Sequence, residues 1–270
     1  DLLVVSDVVL SETAAVADVV LPATQWAEET GTMTNLEGRV LLREQALDAP
    51  PGVRSDLTVL SALAARLGAP GAWSADPVEV FDELRRASAG GPADYSGISH
   101  ERIRDEDGVF WPCPSPEHPG TPRMFLDRFA TPDGRARFVA VEHRPAVDDI
   151  DAAYPVYLTT GRVLQHYQSG AQTRHVAALR EAVPEAFIEM HPDLAEHHDV
   201  IDGDVMRVVS RRGEAVGPVR ITDTIRADTV FMPFHWGGSG CANLVTSDAL
   251  DPMSRMPEFK VCAVRLERAS

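Results

Sequence analysis

Apolar residues open the chain as a β-branched run, Leu2-Leu3-Val4-Val5, continued by Val8-Val9-Leu10. Such a run reads as a strand that needs sheet neighbours. A helix-compatible stretch, 11–17, leads to Val19-Val20-Leu21, a second short strand stopped by Pro22. Residues 31–39 read as a loop. Ser55 or Asp56 caps a helix running to Leu67, whose Leu57, Val59, Leu60, Leu63, Ala64 and Leu67 fall mostly on one face. Gly68 ends it.

The pattern breaks at 69–150, where proline, glycine and acidic residues dominate, as in Trp111-Pro112-Cys113-Pro114. One helix is expected at 78–87. The rest is expected to be irregular, held by Phe110, Trp111, Phe125 and Phe129 against neighbouring structure. From 151 onward short apolar runs recur at 156–160, 186–190, 205–210, 216–222, 229–234 and 259–266, separated by turns such as Asp202-Gly203-Asp204 and Arg211-Arg212-Gly213. Helices are expected at 173–183 and 192–198. Many short strands with few helices predict a closed barrel. The organisation expected is therefore an α/β part at 1–68, a connecting segment at 69–150 and a mainly β domain at 151–270.

Composition narrows the partners. With 270 residues and 44% hydrophobic content the chain has ample material for a core, and no apolar run reaches the roughly 20 residues of a membrane span. Its net charge of −16 argues against nucleic acid or an anionic membrane as main partner, although a local arginine can still hold a phosphate. Cys113, Cys241 and Cys262 are odd in number and widely spaced, which disfavours disulfides and points to a reducing, cytoplasmic setting. No C-x-x-C motif offers a zinc or iron–sulfur site. The missing initiator Met and signal peptide add to the expectation of a piece cut from a longer chain.

Three stretches carry candidate chemistry. Thr159-Thr160-Gly161-Arg162 leaves a strand, where a small glycine-containing turn lets backbone amides approach a phosphate and Arg162 adds charge; a plain turn is the bland alternative. His166, Gln168, Ser169, Gln172, Thr173 and Arg174 form a polar stretch before a helix start, suited to an anion or equally to a solvated loop with a cap. Phe234-His235-Trp236-Gly237-Gly238 either presents His235 to a ligand or forms a core aromatic pair with His235 bonded to backbone. Competing chemistries fail: Glu196 lies among His191, His197 and His198 without an H-E-x-x-H pattern, and Ser239 lies outside any G-x-S-x-G elbow.

Three blocks together resemble the molybdopterin oxidoreductase family: A-D-V-V-L-P-A-T-Q-W-A-E-E-T-G-T-M-T-N-L-E-G-R at 17–39, Y-P-V-Y-L-T-T-G-R-V-L-Q-H-Y-Q-S-G-A-Q-T-R at 154–174, and N-L-V-T-S-D-A-L-D-P-M-S-R-M-P-E-F-K-V-C-A-V at 243–264. H-P-D-L-A, I-D-G-D-V and S-R-R-G between them look like that family's dinucleotide-binding barrel, and W-P-C-P with H-P-G-T-P like its connecting region. Two departures stand out. Gln168-Ser169-Gly170 replaces a frequent H-T-G, and His198-Asp199 replaces a Leu-Gly that would end a helix.

The resemblance implies the C-terminal part of such an enzyme: an α/β domain remnant followed by a double-psi β-barrel of six strands. It implies a molybdenum bis(molybdopterin guanine dinucleotide) cofactor, bound through Thr160, Gly161, Arg162, His166, Gln168, Ser169 and Thr173, with Asn243 and Lys260 as further contacts. His235 is expected near the substrate funnel. The family's 4Fe-4S cysteines and metal ligand belong to portions outside this chain, so the piece alone is expected to be inactive and to ligate no metal. Q-H-Y-Q-S-G-A-Q-T-R and F-H-W-G-G look like assimilatory nitrate reductases, which reduce nitrate to nitrite with electrons from a donor protein or subunit. E-F-K-V-C-A-V is common in formate dehydrogenases, which leaves that activity, and a non-catalytic barrel module, as alternatives.

Overall fold

The computed structural model describes residues 1–269, in two units, Asp1–Ala140 and Val141–Ser270. In the first unit, β1 (Val4–Asp7) and β2 (Val19–Pro22) pair in parallel. β3 (Gly31–Thr34) and β4 (Arg39–Arg43) form a hairpin where a loop was expected. Its turn is a side-chain device: Asn35 Oδ1 accepts from the Glu37 and Arg39 amides, and Gly38 takes φ +81°.

α1 (Asp56–Leu67) begins as expected, with the Ser55 hydroxyl accepting from the Thr58 amide, and ends at left-handed Gly68. α2 (Pro77–Ser88) is capped by Asp76 and carries Pro77 in its first turn. The following stretch is more regular than its composition suggests. α3 (His100–Asp105) is capped by Ser99, and β5 (Val109–Phe110) adds to β4. Val40, Phe81, Ile98, Ile103, Val109 and Cys113 form one buried cluster, with Trp111 packed against it. Residues before and after position 69 thus share a core. Phe125 and Phe129 do not join it; they are exposed and stack on each other at 5.6 Å.

The second unit is the barrel. Its elements are β6 (Val156–Gly161), α4 (Ala177–Ala182), β7 (Ile188–Met190), α5 (Pro192–His197), β8 (Val205–Val209), β9 (Glu214–Ile221), β10 (Thr229–Pro233) and β11 (Cys262–Arg268). All six expected strands are present. They close in the order β10-β6-β11-β8-β9-β7, with two parallel pairs, β6–β10 and β7–β9, and antiparallel contacts elsewhere. Alternation decides the register: Val156 and Leu158 point inward while Tyr157 and Thr159 face out, and β9 repeats the pattern. Ile188, Met190, Met206, Val208, Val219, Val230, Met232 and Val264 fill the interior, each contributing about 1.5–3 kcal/mol by burial.

The helix expected at 192–198 is present as α5, and one helix expectation needs correction. The helix foreseen at 173–183 is a short 3-10 turn (Thr173–His175) followed by α4, divided where β-branched Val176 is extended. At the end of α5, Asp199 adopts φ +51°, so an aspartate in the left-handed region makes the turn where no glycine stands. Among the described residues no helix is long and apolar enough to cross a membrane.

Candidate functional site

Strand direction gathers the site at one end of the barrel. β6 and β10 run parallel with Gly161 opposite Pro233, so both exit there. β11 is antiparallel to β6 and enters there, and the β8–β9 turn closes over the same end. The loop after β6, the loop after β10, Asn243 and Lys260 therefore share one rim.

Lys260 and Thr160 meet directly. The Lys260 ammonium donates to the Thr160 carbonyl at 2.6 Å, and the buried Thr160 hydroxyl donates to the Phe259 carbonyl at 3.1 Å. Gly161 is required by closeness, because a Cβ there would lie 2.7 Å from the Phe231 ring. Arg162 is exposed, bonded to the Gln168 side chain at 3.2 Å and poised over Phe234. Gln168, at φ +49°, and Ser169 are also exposed.

Two histidines pin this loop from inside. His166 is buried: its Nε2–H donates to the Val183 carbonyl at 2.8 Å, and its Nδ1 accepts from the Thr173 hydroxyl at 3.0 Å. Thr173 in turn accepts from the Tyr167 amide. His235, foreseen at a substrate funnel, is fully buried. Its Nε2 accepts from the Val163 amide at 2.9 Å and its Nδ1–H donates to the Gln168 carbonyl at 2.5 Å. Burial holds its pKa below the ordinary imidazole value; the Gln168 bond opposes this, and His166, Arg162 and Arg174 reinforce it. Of the two readings open from sequence, this geometry matches the backbone-bonded one.

Asn243 stands on the rim in a 3-10 turn (Ala242–Leu244). Its exposed carboxamide makes no hydrogen bond to the described residues, so it belongs to no part of the loop's internal network. Two further groups matter here: Arg174, foreseen only as part of the anion-suited polar stretch, and Asp148, to which sequence reasoning gave no role. The Arg174 guanidinium donates to the Ser169 carbonyl at 2.6 Å and to the His235 carbonyl, joining the two loops. Asp148, nearly buried, accepts from Arg211 at 2.5 Å, Arg212 at 2.6 Å and the Ala263 amide at 3.2 Å, tying the β8–β9 turn to β11. Arg212 also donates to the Val245 carbonyl, just beyond Asn243.

The rim suits an anion. The amides of Leu164, Gln165, Gln168 and Ser169 have no partner among the described residues, and residues 160–169 contain no carboxylate. Lys260 spends one of its three donors on Thr160. Among the described residues no group of three His, Cys, Asp or Glu side chains is placed to hold a metal. Cys262 lies in the barrel core, its thiol pKa pushed up by burial, and serves as packing.

Two family models match this chain: "Molydopterin dinucleotide binding domain" over residues 156–263, which is the barrel with its rim, and "Molybdopterin oxidoreductase" over residues 1–66. This chain belongs to the molybdopterin oxidoreductase family. Within that family it is 46% identical over 263 residues to the assimilatory nitrate reductase catalytic subunit of Bacillus subtilis, covering 96% of this chain and 37% of the relative. It is 42% identical over 269 residues to the F420-dependent formate dehydrogenase subunit alpha of Methanocaldococcus jannaschii, covering 99% and 39%. The chain therefore spans well under half the length of these molybdopterin oxidoreductases. Acetylene hydratase from Pelobacter acetylenicus shares the fold, with a TM-score of 0.77 over 100% of this chain and 40% of that one at 19% identity. The partnerless amides, Arg162 and Lys260 on the rim fit the family's dinucleotide, whose pyrophosphate needs donors and positive charge.

Proposed function

We propose that this chain is part of the catalytic subunit of an assimilatory-type nitrate reductase, and that its barrel rim grips one guanine dinucleotide of a molybdenum bis(molybdopterin guanine dinucleotide) cofactor. The observation that carries the reading is the 46% identity to an assimilatory nitrate reductase catalytic subunit, running through both units. When bound, the cofactor supplies two-electron oxygen-atom transfer, taking nitrate, two electrons and two protons to nitrite and water.

The chain's own residues bind and orient. The amides of Gln168 and Ser169, with Arg162 and Lys260, hold phosphate oxygens. The Asn243 carboxamide supplies a donor and an acceptor from across the rim. Thr160, Gly161, His166 and Thr173 fix the loop that presents them. No redox step is assigned to a residue of this chain. The molybdenum ligand and a 4Fe-4S relay come from sequence outside it, and electrons arrive from a donor protein or subunit. A cytoplasmic site of action fits three free cysteines.

Formate oxidation is the second reading, favoured by the 42% identity to a formate dehydrogenase alpha subunit. The intact enzyme decides between them. Reduced viologen is supplied with nitrate, oxidised viologen with formate, and molybdenum is measured by mass spectrometry. Nitrite formation with molybdenum near one per polypeptide is the expected result. Formate oxidation without nitrite formation overturns the nitrate reading, and absence of molybdenum overturns both.

A further inference from the structure

We propose that His235 is a positioning residue that aims the Ser169 amide at the cofactor's phosphate by holding the Gln168 carbonyl on the inner side of the loop. This rests on the reading that the rim binds a dinucleotide.

The argument begins with the imidazole. Its two nitrogens reach backbone atoms five residues apart, the Val163 amide and the Gln168 carbonyl, so the ring bridges the loop as a rung. An amide only donates and a carbonyl only accepts, which forces one neutral tautomer, protonated at Nδ1. Peptide geometry does the rest. The Gln168 carbonyl and the Ser169 amide belong to one planar trans unit and point in opposite directions. Drawing the carbonyl inward onto His235 turns the Ser169 N–H outward, where it has no partner among the described residues.

Neighbouring groups keep the rung in place. Arg174 bonds the His235 carbonyl and the Ser169 carbonyl together. Gly170, at φ +74°, leaves room that a Cβ would fill at 2.7 Å from the His235 oxygen. The groups facing the ring are His166, 5.8 Å away, Arg162, Arg174 and the Phe234 and Trp236 rings, and these contribute no carboxylate that would favour a second proton. A ring serving only to fill space would need neither bond.

Three substitutions separate the two bonds. H235F keeps the ring's bulk and loses both. H235N retains a donor near the Nδ1 position, towards Gln168. H235Q retains an acceptor near the Nε2 position, towards Val163. The intact enzyme is passed through gel filtration, and guanine nucleotide and molybdenum per polypeptide are followed with time. Hydrogen exchange of the 160–170 peptide and the thermal midpoint are recorded on the same samples.

Cofactor loss is expected to be about 10- to 100-fold faster in H235F and H235Q than in wild type, with substantial rescue in H235N, the range of one hydrogen bond to a charged group. Exchange in the 160–170 peptide rises in H235F. Three results overturn the proposal: unchanged exchange in H235F, cofactor loss that follows the thermal midpoint equally in all variants, or rescue by Gln rather than Asn. Wild-type enzyme that binds no guanine nucleotide, with the peptide still protected, instead overturns the cofactor reading beneath it.

Discussion

Replacing Asp148 by alanine tests how the rim is held. The carboxylate is 8% exposed and meets Arg212, 23% exposed, and Arg211, 37% exposed. Arg211 keeps Asp151 at 2.6 Å and reaches solvent, so its lost bond costs little, about 0–1 kcal/mol. Arg212 is left with only the Val245 carbonyl, a loss of about 1.5–3 kcal/mol for a bond to a charged group. The buried Ala263 amide loses its acceptor, costing about 1–3 kcal/mol. Together these span about 2.5–7 kcal/mol, and the roughly 3–5 kcal/mol typical of breaking one half of a buried ion pair lies inside that span. Chemical denaturation monitored by a probe in the barrel is the assay, and the midpoint should fall with little change in slope. In a thermal melt the shift is roughly 10–20 °C for a unit this size. D148N should fall between, since its amide keeps one acceptor. A loss below about 1 kcal/mol for D148A would refute the view that this carboxylate joins the turn to β11.

Three further outcomes follow. Lys260→Ala should speed cofactor release about 10- to 100-fold, read by retained molybdenum, while an exposed position keeps the change in stability within about 1 kcal/mol. Gly170→Ala should cost about 2–3 kcal/mol, combining a left-handed backbone with a Cβ 2.7 Å from the His235 carbonyl, and should raise hydrogen exchange across the loop. Acid should weaken the fold. Burial lowers the folded pKa of His235, His100 and His198, so stability is full above the ordinary value of 6.5 and is lost as pH falls below it, where the unfolded state takes up protons the folded state resists. H235F should flatten that loss in denaturation curves measured between about pH 7 and 5.

Most barrel strands were legible because they alternate with period two over a filled interior, so Leu158 or Val208 announces its face without knowledge of its neighbour. β11, which opens with three buried residues in succession, was legible instead as an apolar run. α1 was legible through Ser55 and Gly68, which act locally. What stayed hidden depends on fewer residues or on distance. The β3–β4 hairpin has a four-residue first strand, and its polar turn looks like loop until Asn35 is seen bonding two amides. α3 is six residues long, too short for periodicity. The loop 160–169 was recognisable by polarity and glycine, but the orientation of His235 depends on a partner 67 residues away. Asp148 was invisible for the same reason, with partners 63, 64 and 115 residues distant in an otherwise unremarkable acidic stretch.

The placement of β11 sets a timetable. It lies between β6 and β8, so the ring of strands stays open until residues 262–268 have been made and have slotted home. Lys260 reaches the Thr160 carbonyl only through that closure. Pairings across a hundred residues form late, after the intervening chain is in hand. During synthesis on the ribosome the earlier strands must therefore wait, with their apolar faces uncovered, for the last of them. A cofactor delivered before then meets half a clasp.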